Sequence, residues 1–386
     1  MTTAPSPTQP LAGVRIVEIS SFVAAPLAGM TLAQLGADVV RVDPIGGAAD
    51  CHRWPLTDAG ESIYWAGLNK GKRSVTVDLR SPDGRQLVAR LITESGPAGG
   101  ILLTNTAGRE ELDWDALTAR RPDLIRLEIL GRADGTAAVD YTVNAATGFP
   151  LVTGPADHDG PVNHVLPAWD LLCGIYAALA ITAAVRHRDT TGEGSRVALP
   201  LDDVALATAG NLGFLAEAAL TGRERPRLGN ALYGQYGQHF TSADGVSFMV
   251  VALTPRHFRD LTELTGTAAP VAALATTLGV DFTDEGARYR YRDVLTGLFA
   301  PWFQDRTGTE VATALAGTSV LWERYRSFAD LVTEPRVTEN PLFTPLRQPG
   351  IGDYLAPGAP MSVNGVHVPA RPAPRLGEHT ESVLRE

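Results

Sequence analysis

The sequence predicts an α/β chain, with a doubly wound parallel sheet in a large domain and a smaller α+β domain after it. Three observations carry that reading. Short apolar runs alternate with helical patterns from Val14 to Leu130, the order that gives parallel strands with helices on both faces. A charged, proline-bearing stretch, Gly222–Arg227, precedes a block of different composition. The chain then ends in a Pro- and Gly-rich arm. The expected divisions are 1–222 for the main part of the large domain, 228–330 for the small domain, and 331–386 for an extended arm that returns to complete the large one.

The elements follow in order. Val14–Ile19 is a short apolar strand. A helical segment carries Pro26 in its first turn and stops at Gly36. Asp38–Asp43 is a second strand, so the unit is βαβ with a right-handed crossover. An acidic residue ending the second strand is a trait of dinucleotide folds. The first turn reads SSFVAAPLAG, however, and lacks the G-x-G-x-x-G fingerprint, which argues against a nicotinamide or flavin enzyme. The basic loop Asn69–Arg73 leads into a strand at Ser74–Leu79; it reads either as a solvated turn or as a site for phosphates. Pro82 opens a helix to Thr93, Ile101–Thr104 is a strand ending at Asn105, Trp114–Arg121 is a helix, and Leu124–Leu130 is a strand. Ligands of such sheets bind beyond the carboxyl ends of the strands. Those ends are Ser20–Ala25, Asp43–Pro44, Asn105 and Gly131–Asp134.

Residues 136–166 read as irregular. A long apolar helix follows, with Leu171, Leu172, Ile175, Tyr176 and Leu179 at helical spacing, basic residues in its last turn and Gly192 after it. Asp170 falls where an N-cap is expected. One reading makes it a cap. The other makes it a nucleophile, kept ionised at neutral pH by the helix dipole and able to form a covalent intermediate. Both stay open at this point. A strand at Arg196–Leu199 and one helix from Asp202 to Leu220 complete this part. In the small domain a hairpin, Gln238–Thr241 with Phe248–Ala252, turns at Ala243–Gly245, and helices are expected near 256–266, 285–299 and 307–316. Tyr233 and Tyr236, within GNALYGQYG, either line a cavity or form a turn.

Composition narrows the function class. The 386 residues are 44% hydrophobic and 20% charged with net charge −10, an acidic globular chain for which neither nucleic acid nor a membrane surface is the expected partner. Cys51 and Cys173 lie far apart without metal spacing, so no disulfide or zinc site is expected, and both read as buried, unreactive thiols. His158 and His164 read as exposed loop histidines, and no metal is expected. No G-x-S-x-G elbow supports a hydrolase. Residues 1–10 read as a disordered lead-in without the apolar core of a signal peptide, and no run of about 18 purely apolar residues stands out, so a cytoplasmic protein is expected.

Four segments go further. LAGVRIVEISSFVAAPLAGMTLAQLGADVVRVDPIGG, YWAGLNKGKRSVTVDLRSPDGRQLVARLI, WDLLCGIYAALAITAAVRHRDTTGEGSRV and PAPRLGEHTESVL, in this order, resemble the family III CoA-transferases over nearly the whole chain. The resemblance implies that family's fold and an interlocked homodimer. It places Asp170 at the family's catalytic aspartate, with capping as a compatible second role. It implies no permanently bound cofactor and an acyl-CoA thioester as substrate. Val23, Ala24, Val77 to Arg80, Asn105, Thr106 and the Gly131–Arg132 loop match the family's CoA contacts, with Arg80 and Arg132 as phosphate partners and Lys72 and Arg73 in a packing role. Backbone N–H groups near the helix start, or a glycine loop near Gly229–Gly237, would hold the oxyanion. The resemblance stops at Glu386, short of the C-terminal helix that many members carry.

Within the family, racemases take their bases from a His-Asp pair and a Glu. Val139 and Thr254 stand at the His and Glu positions here, and neither can exchange an α-proton. Formyl-type members have polar residues before the first helix's proline, where this chain has Ser21, Val23 and Ala25. SSFVAAPLAGMTLAQLGADV, DPIGG, RWP, VDYT, NHVLPAWD and QPGIGDYL resemble instead the branch that moves CoA between the C1 and C4 carboxyls of mesaconyl-CoA. That implies intramolecular transfer. An intermolecular acyl-CoA:carboxylate transferase is the alternative, ahead of a racemase or a non-catalytic CoA-binding protein.

Overall fold

The computed structural model describes residues 9–106 and 110–386. The expected lead-in therefore lies almost wholly outside the described residues. The chain begins with β1 (Arg15–Ile19), α1 (Ala24–Gln34), β2 (Asp38–Pro44), α2 (Ile63–Leu68), β3 (Arg73–Val77), α3 (Pro82–Thr93), β4 (Ile101–Thr104), α4 (Trp114–Thr118) and β5 (Ile125–Leu130). It continues with α5 (Asp140–Ala146), α6 (Phe149–Val152), α7 (Ala168–Thr191), β6 (Ser195–Pro200), α8 (Leu201–Asn211) and α9 (Phe214–Thr221). Strands β1 to β6 form one parallel sheet in the order β3-β2-β1-β4-β5-β6. The order reverses between β1 and β4, and there a crevice opens. Strands β1 to β5 are largely buried on both faces and mostly apolar, whereas β6 at the edge alternates half-buried and exposed residues. Val17, Ile19, Val40, Val42 and Val75 pack with Val88 and Ile92 of α3.

Two compact units result. One holds the chain up to Thr147, Val165–Leu220 and Thr333–Glu386; the other holds Gly148–His164 and Thr221–Val332. The second unit has its own antiparallel sheet, β7 (Tyr236–Thr241), β8 (Ser247–Ala252) and β9 (Leu321–Arg324), with an aromatic core of Tyr236, Phe248, Phe258, Phe299 and Phe303. Tyr236 neither lines a cavity nor forms a turn: it is fully buried on a strand, and its hydroxyl bonds that of Thr296 at 3.0 Å.

Several local expectations change. The segment 136–166 was expected to be irregular but contains α5 and α6. The single helix expected from Asp202 to Leu220 is two helices bent by 59°, because Gly213 adopts φ +80 between them. A helix at Ala268–Leu278 has no counterpart in the sequence reading. The closing arm is more than an extended strap. Its hairpin pairs Phe343–Gln348 with Gly352–Pro357, and its end covers the sheet edge at β3. There Ser74 N–H donates to His379 Nδ1 (3.2 Å) and Thr76 N–H to Thr380 Oγ1 (3.0 Å). The 24-residue α7 is, by length and composition, apolar enough to cross a membrane, against the sequence expectation; 44% of its apolar window is buried within the chain. Its small residues pack on α1: a Cβ on Gly174 would lie 2.7 Å from Ala24 O.

The basic loop before β3 is neither solvated nor a phosphate site. Lys72 is buried, with its Nζ 2.8 Å from both carboxylate oxygens of Glu18 and donating to Pro26 O and Asn69 Oδ1. Gly29 of α1 makes room, since a Cβ there would lie 1.7 Å from Glu18 Oε2. Beside it Arg41 is buried on β2. It donates to Asp43 through Nε and Nη2, to Asp50 through Nη2, to Asn69 Oδ1 at 3.0 Å, and to the carbonyl of Ser20 at 3.1 Å. Asp43, the acid ending β2, is thus consumed by an internal arginine rather than by a ribose. Breaking a buried pair strands a charge. Lys72→Met is therefore expected to destabilise the fold by about 3 kcal/mol in urea unfolding; a loss well under 1 kcal/mol would show that the network contributes little.

Candidate active site

A cavity of about 570 Å³ lies at the crevice between the carboxyl ends of β1 and β4. Its walls are the β1–α1 turn, the irregular segment before α2, the residue after β4, the start of α5, and the first turn of α7.

The β1–α1 turn is held rigidly. Asn105 clamps Ser21 from both sides: its Oδ1 accepts the Ser21 N–H (3.1 Å) and its Nδ2 donates to Ser21 O (2.8 Å). Arg41 holds the preceding carbonyl. Phe22 then takes φ +66, a region that non-glycine residues rarely occupy. The next residues enter α1, whose N-cap Val23 gives no side-chain cap.

Asp170 is not the cap of α7. The helix starts at Ala168, Pro167 stands at the cap position, and Asp170 sits inside the first turn. The cap comes from another helix. Asp140, the first residue of α5, is buried, and its Oδ2 accepts the N–H groups of Trp169 (2.8 Å) and Asp170 (3.1 Å). Asn144, one turn along α5, accepts from Trp169 Nε1 at 3.1 Å. With the Leu171 N–H on Pro167 O, the amides at this helix start are committed, so they cannot hold an oxyanion as expected. The Gly229–Gly237 loop belongs to the other compact unit.

The Asp170 carboxylate lines the cavity and takes no hydrogen bond among the described residues. Burial, reinforced by Asp140 and opposed by Arg53, pushes its pKa up to about 7. The expectation of full ionisation at neutral pH gives way to a carboxyl poised between its two forms. Burial, with Asp170 next, raises the Cys173 thiol to about 12, and burial does the same for half-buried Cys51, so both are inert at neutral pH.

The other expected site residues divide. Val23, Ala24 and Asn105 line the cavity with Asp170, as does Gly131. Val77 is buried in the sheet core, and Arg80 is exposed before α3. Thr106 turns back to the Thr104 hydroxyl and lines a separate small cavity with Arg126. Arg132 is half-buried next to Gly131 and does not line the main cavity. Among the wall residues that went unread as site residues are Phe22, Arg53, Tyr64 and Asp140. The guanidinium of Arg53 lies over the rings of both Phe22 (5.3 Å) and Tyr64 (5.0 Å). Each sat inside a segment quoted above, but no periodicity or spacing marks residues whose contacts form only in the fold, Arg53 against Phe22 and Tyr64, and Asp140 at the start of α7.

The raised pKa has a stability consequence. An unfolded chain loses this proton near 3.8, whereas the fold keeps it to about 7. The folded state binds the extra proton between those values, so the ionised carboxyl costs stability in full above pH 7 and the cost fades as pH falls toward 4. Asp170→Asn is expected to stabilise the protein by about 2 kcal/mol at pH 8 and by clearly less at pH 5, a difference readable from urea midpoints.

Comparison with known proteins agrees with this geometry. The model of CoA-transferase family III matches residues 11–380. The chain is 47% identical to 2-methylfumaryl-CoA isomerase of Chloroflexus aurantiacus, over 97% of this chain and 93% of that protein. It is 29% identical to succinate–glutarate CoA-transferase of Agrobacterium fabrum, over 100% of this chain and 98% of that protein. Among solved structures, a CAIB/BAIF family protein from Brucella suis superposes with a TM-score of 0.79 at 26% identity, covering 98% of this chain and 99% of that one. Sequence order, sheet topology and a cavity built around one unpaired carboxylate agree, and the chain belongs to CoA-transferase family III.

Proposed function

We propose that this enzyme moves CoA from the C1 to the C4 carboxyl of 2-methylfumaryl-CoA (mesaconyl-CoA), with Asp170 as the covalent carrier. The observation that carries the mechanism is the Asp170 carboxylate, unpaired in a cavity at the sheet's switch point. The choice of acid rests on the 47% identity to a 2-methylfumaryl-CoA isomerase.

The steps balance without ATP or metal. Ionised Asp170 attacks the C1 thioester carbonyl; the C–S bond breaks, giving an acyl-aspartyl anhydride and CoA thiolate. The thiolate attacks the Asp170 carbonyl of the anhydride, giving an aspartyl-CoA thioester and the free dicarboxylate. The C4 carboxylate attacks that thioester, forming a second anhydride and again releasing thiolate. Attack of the thiolate on C4 yields the product and regenerates Asp170. Each anhydride preserves the activation of the thioester. A racemase reading lacks its bases: Val139 lines the cavity without a titratable group, and the Thr254 hydroxyl caps the helix at Pro255–Leu264.

CoA is proposed to run from this cavity along the strand ends, with Val23, Ala24 and Asn105 as wall and Val77, Arg80, Thr106 and Arg132 farther along. Neither Arg80 nor Arg132 forms an ion pair with a carboxylate among the described residues, which suits them to phosphates. A homodimer belongs to the same proposal. The outward face of α7 exposes Ile175 (52%) and Leu179 (62%), flanked by Leu172 and Tyr176, an apolar strip that suits a second copy of the chain.

Three outcomes are expected. Asp170→Ala lowers turnover at least about a thousandfold, and hydroxylamine added during turnover of the intact enzyme yields a hydroxamate at Asp170 by mass spectrometry; full turnover by the variant would overturn the nucleophile. The rate rises with pH through an inflection near 7, where the nucleophile ionises, and Asp140→Asn moves that inflection lower while burial keeps it above the ordinary carboxyl value. The intact enzyme sediments at twice the chain mass, and Ile175→Glu with Leu179→Glu lowers that mass; a monomeric wild type would refute the dimer. Labelled free mesaconate entering the thioester would favour intermolecular transfer instead.

A further inference from the structure

The proposed reaction leaves a problem at its midpoint. When CoA is on Asp170, the dicarboxylate is joined to nothing, yet it must present its other end to the same carbonyl. A doubly charged acid leaves readily unless a cation holds it. Arg53 is the cationic side chain among the described residues lining the cavity. It forms no ion pair with a side-chain acid among the described residues, although Asp170 is near enough to feel its charge. Its guanidinium lies against two rings, 5.3 Å from the Phe22 centroid and 5.0 Å from that of Tyr64. No side-chain or backbone acceptor among the described residues takes its N–H donors, which match a carboxylate in pairs. Tyr64 shares this wall, and its buried hydroxyl has no hydrogen-bond partner among the described residues. Phe22 reaches this stack through its unusual backbone angle, held by the Asn105 clamp on the residue before it.

We propose that Arg53, set against the rings of Phe22 and Tyr64, binds whichever carboxylate of the dicarboxylic acyl group is not engaged with Asp170, and so selects dicarboxylic acids and retains the freed diacid between the two halves of the reaction. This rests on the transferase reading above and adds the anchor that reading requires. Arg53 first holds the C4 carboxylate while C1 reacts. After the diacid turns over in the cavity, it holds the C1 carboxylate while C4 reacts.

The test separates binding from chemistry. Enzyme carrying Asp170→Ala, with Arg53 intact or replaced by Gln or Lys, is titrated calorimetrically with mesaconyl-C1-CoA and with its C4 methyl ester. With Arg53 intact the free acid binds more tightly than the ester. Arg53→Gln is expected to weaken the acid about ten- to hundredfold and to leave the ester unchanged, and Arg53→Lys to retain part of the preference. Equal weakening of both ligands, or no weakening of either, would overturn the anchor. With Asp170 intact, Arg53→Gln should also admit labelled free mesaconate into the thioester at a rate that the unaltered enzyme does not show. Failure of the transferase reading would be seen separately: the unaltered enzyme would leave mesaconyl-C1-CoA unchanged, whatever the titrations give.

Discussion

The structure hangs on two hydrogen bonds from the start of α7 to one carboxylate. A helix leaves its first N–H groups without partners, and here the cap position is a proline, whose side chain accepts nothing. Asp140 reaches in from α5 and takes the N–H groups of Trp169 and Asp170 together. A buried negative charge at a helix N-terminus is favourable for the helix. It is unfavourable for the second carboxylate a few ångströms on. The same contact that fixes where α7 begins therefore helps to keep Asp170 from ionising fully. Fold and reactivity meet in one oxygen atom.

The opposite wall follows a related logic with the charges hidden. Glu18, Arg41, Asp43, Asp50 and Lys72 sit beneath the β1–α1 turn and are almost completely buried. Each would be costly alone; interlocked through Asn69 and the carbonyls of Ser20 and Pro26, they form a polar plate under the apolar sheet. Burial acts to lower Arg41's pKa, and its three acidic neighbours outweigh it, so the guanidinium stays charged. The turn they support carries Phe22 in a conformation that an unsupported loop would abandon.

How much of this could be read from the sequence depends on how local the cause is. The alternation of strands and helices up to β5 is set by period and by turn residues, and it emerged with small errors at the ends, except that α2 had no counterpart in the sequence reading. The break between α8 and α9 hides in one glycine's backbone angle. Lys72 and Arg41 read as basic because charge is visible in a sequence, whereas burial is not. At the site, Asp170 stood out through its place before an apolar helix and through family resemblance. Arg53, Tyr64 and Asp140 did not: Arg53 and Asp140 acquire their meaning from residues 30 or more positions away, and Tyr64 acquires its meaning through Arg53. Racemisation, by contrast, was made the weaker reading by two side chains visible in the sequence as it stands, Val139 and Thr254, at the positions where the resemblance implies a His and a Glu.

Gly174 gives the long helix a property beyond packing. It lies one turn after Asp170, where the backbone of α1 comes so near that a methyl group would lie 2.7 Å from Ala24 O. At its other end the helix is tied by Arg188 to Gly99 O. At 1.5 Å per residue its 24 residues span about 36 Å, so α7 acts as a rod pinned close to its reactive end. Side chains along its outer face can change without moving the pin. The position of the reactive carboxylate relative to the cavity's first turn is thus gauged by an atom that glycine does not have.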